Sequence, residues 1–300
     1  MPNLSQVGPY MLERQLGPKP VYAATDLRTM EPVVLKGNNP DGYAAHSNPT
    51  WFSMRVLHHE RDVLERLDHP NIAPVIGCIP LKPSSTFLIL PNRGDYTLAD
   101  ANPEHHSPAI GAALAQISAA LEYAHSQGVI WRDVKPLNIV LGNRRAIGKA
   151  TLIDAEGAHK LTDKNFPQWQ VASPGYMGPE HLYEPPRTEN DVFGLSATAY
   201  VMFMGTEPFP RVGMDTYFNF PRSHDGMKKF GRFGELVIQG LALNPNDRPP
   251  MADIASAAVA HFGIEPQRFE GLEAKIHPDH STTTTELLEQ TAIMLDQKFE

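Results

Sequence analysis

Between Val129 and Leu141 the chain reads Val-Ile-Trp-Arg-Asp-Val-Lys-Pro-Leu-Asn-Ile-Val-Leu, with one acid, two bases and an amide set between apolar runs. Val129 and Ile130 on one side, and Ile139 to Leu141 on the other, have the composition of short buried strands. Strands buried at both ends fix the loop between them, so Asp133, Lys135 and Asn138 are held rather than left to solvent. A lone Asp or Lys on a loop is ordinarily solvated surface. Three polar side chains so close together, bracketed by core segments, point instead to a site.

Composition narrows what such a site can belong to. Three hundred residues suffice for a large core, and 41% hydrophobic with 20% charged residues is ordinary for a globular protein. No apolar run approaches the roughly 20 residues that a membrane helix needs. The first residues lack the basic-then-apolar pattern of a secretion signal. Cys78 is the single cysteine, which excludes an internal disulfide framework and a cysteine-based zinc site. Cytoplasmic placement without membrane attachment is the expectation. A net charge of −8 argues against non-specific nucleic-acid binding. The histidines, including His58-His59 and His105-His106, lack metal-ligand spacing and read as surface or structural residues.

Tyr10 to Ala24 alternates apolar and polar residues around Leu16-Gly17, the pattern of a hairpin. Pro32 to Lys36 is a short strand ending in a lysine. Residues 37–50, rich in Asn, Gly and Pro, form a loop, after which Thr50 can cap a helix from Trp51 to Leu67. Glu60 falls inside that helix's apolar stripe of Phe52, Val56, Val63, Leu64 and Leu67. A carboxylate there is costly unless paired, and Lys36 is its natural partner. Thr86 to Leu90 is a further strand, broken by Pro91-Asn92-Arg93-Gly94-Asp95. Ser107-Pro108 reads as an N-cap and first-turn proline, opening a helix through Ile110, Leu114, Ile117 and Leu121 that Gly128 stops. Ala150 to Ile153 is a strand ending in Asp154. Residues 264–285 are a linker by composition, and 286–299 an amphipathic helix with Leu288, Ala292, Leu295 and Phe299 on one face.

The order of these pieces resembles the eukaryotic-type serine/threonine protein kinases. Asp133-Val134-Lys135-Pro136-Leu137-Asn138 matches their D-x-K-P-x-N catalytic loop, with Trp131 where that family has His. Val33 to Lys36 is similar to the V-A-I-K strand, and Leu67 to Ile72 to an L-x-H-P-N-I segment. Ala172 to Glu180 resembles G-T-P-G-Y-M-A-P-E. Asp191 to Ser196 with Gly205 to Phe209 resembles a central helix and its exit, and Asn244 to Pro249 a P-x-x-R-P segment. The resemblance covers residues 10–263.

It implies an α+β, two-lobed protein kinase-like fold. The small β-rich N-lobe would span residues 1–92 and the larger, mainly helical C-lobe 93–263, with 264–300 outside. The implied activity is transfer of the ATP γ-phosphoryl group to serine or threonine hydroxyls of proteins, with ATP and Mg2+. By resemblance Lys36 orients the nucleotide phosphates and Glu60 holds Lys36. The Pro91 carbonyl and Arg93 N–H hold adenine at a hinge. Asn138 and Asp154 bind Mg2+, Asp133 orients the acceptor hydroxyl and Lys135 steadies the transferred group. Arg248 is expected to pair with Glu180, and Ser173 to contact Asp133 and Lys135.

Two departures stand out. Gly17-Pro18-Lys19-Pro20-Val21 replaces the glycine-rich phosphate loop, and its prolines lack N–H donors. Asp154-Ala155-Glu156-Gly157 replaces D-F-G, with Glu156 either assisting the metal or lying in a plain polar loop. They favour one alternative, a pseudokinase that senses nucleotide or scaffolds; a second, a small-molecule kinase that shares the catalytic loop, is opposed by Ser173 to Glu180. Thr162, between Lys160 and Lys164, is the candidate for phosphorylation against Arg132, in a segment short enough to order without it. The 286–299 helix docks on the core or on a partner.

Overall fold

The computed structural model describes residues 6–17, 19–37, 50–82, 85–143, 146–163, 173–212, 215–216, 218 and 222–264. They fall into two compact units, one from Met1–Asp68 and Ala73–Arg93, the other from His69–Ile72 and Gly94–Glu300. The linker beyond 264 and the 286–299 helix lie outside the described residues, as do Pro18, Lys164 and most of the 37–50 loop.

The first unit is built on an antiparallel sheet of β1 (Gln6–Val7), β2 (Tyr10–Gln15), β3 (Val21–Asp26), β4 (Pro32–Gly37), β5 (Gly77–Lys82) and β6 (Ser85–Pro91), with β6 between β4 and β5. Val7, Tyr10, Ala24, Val33, Leu35, Phe87 and Ile89 form one apolar cluster. Because strand side chains alternate, Val33 and Leu35 commit one face of β4 to that cluster and turn Lys36 to the other. Helix α1 (Thr50–Leu64) stops short of the expected Leu67. The chain tightens there into three-residue turns, with Arg66 N bonding Val63 O and Leu67 N bonding Leu64 O, while Val63, Leu64 and Leu67 stay buried.

The second unit is mainly helical, with α2 (Pro103–Ser126), α3 (Thr188–Met204), α4 (Gly231–Gly240) and α5 (Met251–Phe262). It also holds the hairpin of β8 (Ile139–Asn143) with β9 (Ala146–Leu152), and the short pair β7 (Val129–Ile130) with β10 (His159–Lys160). Helix α2 starts earlier than Ser107-Pro108 suggests. Asn102 is its N-cap, accepting Glu104 N, and Pro103 takes the first position. The same cap-and-proline chemistry occurs upstream, and Pro108 sits inside the helix, where Ser107 Oγ bonds Pro103 O. Downstream, Ile110 to Leu121 is buried on every side.

The segment His69–Ile72 belongs with the second unit, although the sequence reading places it in the first lobe. Asn71 Nδ2 donates to Gln116 Oε1 (3.1 Å) and Ala150 O (2.6 Å), and Leu152 N to Asn71 O (2.7 Å). Gly94 (φ +107°) packs directly on the Gly142 carbonyl, leaving no room for a Cβ, so the 94–96 chain can bond β8 through Tyr96. Among the described residues no helix is long and apolar enough to cross a membrane.

Candidate active site

The loop after β7 is held from below by one carboxylate. Asp191, in the first turn of α3 and fully buried, accepts Trp131 N–H on Oδ2 (2.8 Å) and Arg132 N–H on Oδ1 (2.6 Å). His125 Nε2, in the last turn of α2, lies 2.7 Å from the same Oδ2. These bonds hold Arg132 at φ +70°, a conformation that non-glycine residues rarely adopt. Asp154 is in the same region, at φ +66°, and Met30 is the remaining non-glycine case among the described residues. Two of the three thus lie in the segments read as catalytic, where backbone strain tends to concentrate. Burial pushes the Arg132 guanidinium below its ordinary value, against the opposing charge of Asp191. Its Nη1 reaches Gly157 O at 3.5 Å.

Asp133 sits at the centre of a closed polar network. Its Oδ2 accepts Lys135 Nζ (2.6 Å) and Asn138 Nδ2 (3.0 Å), and its Oδ1 accepts Ser173 N–H (3.0 Å). Lys135 Nζ also donates to Ser173 Oγ (2.6 Å). Asn138 Nδ2 makes a second bond to the Asp133 carbonyl (2.9 Å), so its amide oxygen lies on the opposite edge. Pro136 starts the single turn Pro136–Asn138, for which its fixed φ is suited. Ile153 N bonds Asn138 O (2.9 Å), which brings Asp154, the next residue, alongside Asn138. Asp154 and Glu156 are half-buried, and Ala155 is fully buried.

A second ion pair anchors the segment that carries Ser173. Arg248 meets Glu180 with two parallel bonds, Nη1 to Oε1 (2.7 Å) and Nη2 to Oε2 (2.8 Å), and Asn190 Nδ2 adds a third (2.6 Å). Burial alone would raise the Glu180 pKa, but the Arg248 bonds prevail and hold it below its ordinary value. Gly178 lies so close that a Cβ would overlap both partners.

In the first unit, Lys36 Nζ lies 2.9 Å from Glu60 Oε1 and 2.8 Å from Oε2. Glu60 is 0% and Lys36 7% exposed, so the acid inside the apolar stripe has the partner its burial demands. Pro91 ends β6 opposite Val33, and Asn92 N bonds Pro32 O at 3.3 Å. That register turns the Pro91 carbonyl away from β4. Arg93 follows as an exposed residue. In the turn between β2 and β3, Leu16 N is spent on Val21 O (2.6 Å) and Val21 N on Lys19 O (2.7 Å).

The predicted residues thus gather within their own units. Asp133, Lys135 and Asn138 share one network with Asp154 beside it, Lys36 and Glu60 form another, and Pro91 ends β6 with Arg93 two residues beyond it. Sequence reasoning does not single out Asp191 and His125 for this site. An acid just ahead of the apolar Val192-Phe193-Gly194-Leu195 nonetheless carries the same mark that exposes Glu60.

Comparison with known proteins bears on the whole arrangement. The chain is 29% identical over 273 residues to serine/threonine-protein kinase PknD of Mycobacterium tuberculosis, covering 85% of this chain and 40% of that protein. It is 28% identical over 165 residues to calcium/calmodulin-dependent protein kinase type 1 of Macrobrachium nipponense, covering 51% and 45%. With mitogen-activated protein kinase kinase kinase 3 of Arabidopsis thaliana it shares 25% over 192 residues, covering 63% and 30%. The chain spans less than half the length of these curated relatives. The protein kinase domain family model matches residues 19–258, which include the Lys36–Glu60 pair, the Asp133 network and the Glu180–Arg248 pair, and the chain belongs to that family.

Proposed function

We propose that this chain is an ATP- and Mg2+-dependent serine/threonine protein kinase of two-lobed architecture. The observation that carries the reading is the Asp133 carboxylate, locked by Lys135, Asn138 and Ser173 while Asp191 fixes the backbone beneath it. Phosphoryl transfer asks for position and charge more than for covalent chemistry. Asp133 Oδ1, with one lone pair on Ser173 N–H, is the oxygen that orients the acceptor hydroxyl and takes its proton. Lys135 Nζ, between Asp133 and Ser173, offers positive charge to the group in transit.

The donor set suits a hard cation. Asn138 presents an amide oxygen turned away from Asp133, and Asp154 a carboxylate, both ligands of the kind Mg2+ takes. These two residues would hold the ion, which when bound neutralises charge on the phosphates. Lys36, fixed by Glu60, orients the phosphates of ATP, and the Pro91 carbonyl with the Arg93 N–H takes its adenine edge. The names of the relatives and the Lys135 form of the loop favour serine and threonine as acceptors. One cysteine and a net charge of −8 support cytoplasmic work on proteins, without nucleic acid or membrane, and 286–299 is read as a docking helix.

The test is ATP-dependent phosphate incorporation into protein substrates by the wild type and by Asp133→Ala, with sites mapped by mass spectrometry. Asp133→Ala is expected to lose several powers of ten in kcat while still binding Mg-ATP. Equal labelling by both would overturn the assignment.

A further inference from the structure

His181 has no part in the kinase reading, yet its surroundings are unusual. It lies in the turn Pro179–Leu182, one residue after Glu180, and is 3% exposed. Neither ring nitrogen has a hydrogen-bond partner among the described residues. Buried polar groups are rarely left so, and an imidazole can offer one donor and one acceptor.

The acids that act on it are Asp133 from the loop after β7, Asp191 from α3 and Glu180 from its own turn. Each is committed elsewhere. Asp133 serves Lys135, Asn138 and Ser173; Asp191 serves Trp131, Arg132 and His125; Glu180 serves Arg248 and Asn190. Arg132 is the cation acting on it among the described residues. A proton on His181 therefore has no acceptor bonded to it and adds a second positive charge near a buried guanidinium. Burial first, and Arg132 second, hold the imidazole down to about 4.

We propose that His181 is a positioning residue that supports the catalytic loop only while neutral, its protonation displacing the turn that carries Arg132 and Asp133. The activity consequence rests on the kinase reading above; the stability consequence does not. An unfolded histidine takes its proton near 6.5, whereas folded His181 resists down to about 4. Stability from this residue is therefore full above 6.5 and lost as pH falls towards 4. The unfolding constant should rise through His181 by about tenfold at pH 5.5 and about thirtyfold at pH 5.0.

The experiment compares the wild-type chain with His181→Leu and His181→Gln by urea unfolding at pH 7.5 and 5.0. It is joined by kcat and KM for a peptide substrate from pH 7.5 down to pH 4.0, and by the wild-type His181 ring resonance followed by NMR over that range. The expected result is a wild-type unfolding constant that rises about thirtyfold more than that of either variant between the two pH values. The ratio of kcat at pH 4.0 to kcat at pH 7.5 should be about twofold higher in the variants, because about half of the folded His181 carries its proton at pH 4. A resonance titrating near 6.5, or parallel stability profiles, would overturn the proposal. So would an unchanged kcat ratio, which would leave His181 outside the positioning of the loop. Should His181→Leu fail to fold, His181→Gln and the wild-type resonance decide. If the wild type transfers no phosphate at any pH, the kinase reading fails, while the unfolding and NMR arms still decide whether His181 is held neutral.

Discussion

Replacing Asp191 by Asn is expected to loosen the loop that carries Asp133 without touching Asp133 itself. The carboxylate accepts two backbone N–H groups, from Trp131 and Arg132, at 2.8 and 2.6 Å, and contacts His125 at 2.7 Å. Trp131 is fully buried and Arg132 nearly so, so water cannot replace a lost acceptor. Hydrogen bonds to a charged group contribute about 1.5–3 kcal/mol each. The amide of Asn keeps one acceptor but turns an NH2 towards a donor, which removes one of the two backbone bonds and adds an unsatisfied group. A loss of about 2–4 kcal/mol follows, rising to about 3–6 for Asp191→Ala, which abandons both N–H groups. Urea midpoints at constant m give the stability change, and amide hydrogen exchange at Trp131 and Arg132 localises it. A loss below about 1 kcal/mol, or exchange at those two amides unchanged from the wild type, would show that the carboxylate does not hold the turn.

The closed turn between β2 and β3 bears on nucleotide affinity. With two prolines and with Leu16 N and Val21 N spent internally, Mg-ATP should bind more weakly than in a kinase with a full glycine loop, by about 1.5–3 kcal/mol per missing charge-assisted bond. Calorimetry giving a low-micromolar or tighter Kd would contradict this. Thr162→Ala is expected to keep kcat within about twofold, within the small effects usual for exposed positions, since Thr162 is exposed while Arg132 is 6% exposed and reaches towards Gly157; a tenfold fall would revive it as a phosphorylation switch. Arg248→Met strands a buried carboxylate and should cost about 3–5 kcal/mol. In the wild type, Glu180 is held below its ordinary 4.5, so its stability contribution is full above that value and fades as pH falls below it. Unfolding measured at pH 7 and pH 3 should show the gap between wild type and Arg248→Met closing.

Residues that are legible from the sequence share one property, a charge placed where the surrounding pattern is apolar. Glu60 interrupts a helical stripe, and Asp133 with Lys135 interrupts two buried strands, so each requires a partner whatever the fold. Asp191 carries the same mark, yet it also sits in a first helical turn with Glu189, where an acid is already explained by the exposed N–H groups and the dipole. That ordinary explanation hides its bonds to the loop. Asn71 is visible only as part of a motif, because its partners Gln116 and Ala150 lie 45 and 79 residues further on, a separation that no local pattern reports. The start of α2 differs from expectation because Asn102-Pro103 and Ser107-Pro108 offer the same capping chemistry, and the choice between them is made by tertiary packing. His181 gives no warning at all, since a lone histidine beside a proline and an acid is compatible with any surface turn.

The placement of His69–Ile72 bears on where this polypeptide can be cut. A fragment that starts at Gly94 contains every helix from α2 onwards, yet it leaves Gln116 and the Ala150 carbonyl without the Asn71 amide, and Leu152 N without its acceptor. A fragment ending at Arg93 carries the displaced four residues with it, cut off from Gln116, Ala150 and Leu152. Neither half is a self-contained gene segment. Producing the second unit by itself requires the 69–72 peptide as well, supplied either in trans or by a permuted chain that joins it through a linker to Gly94.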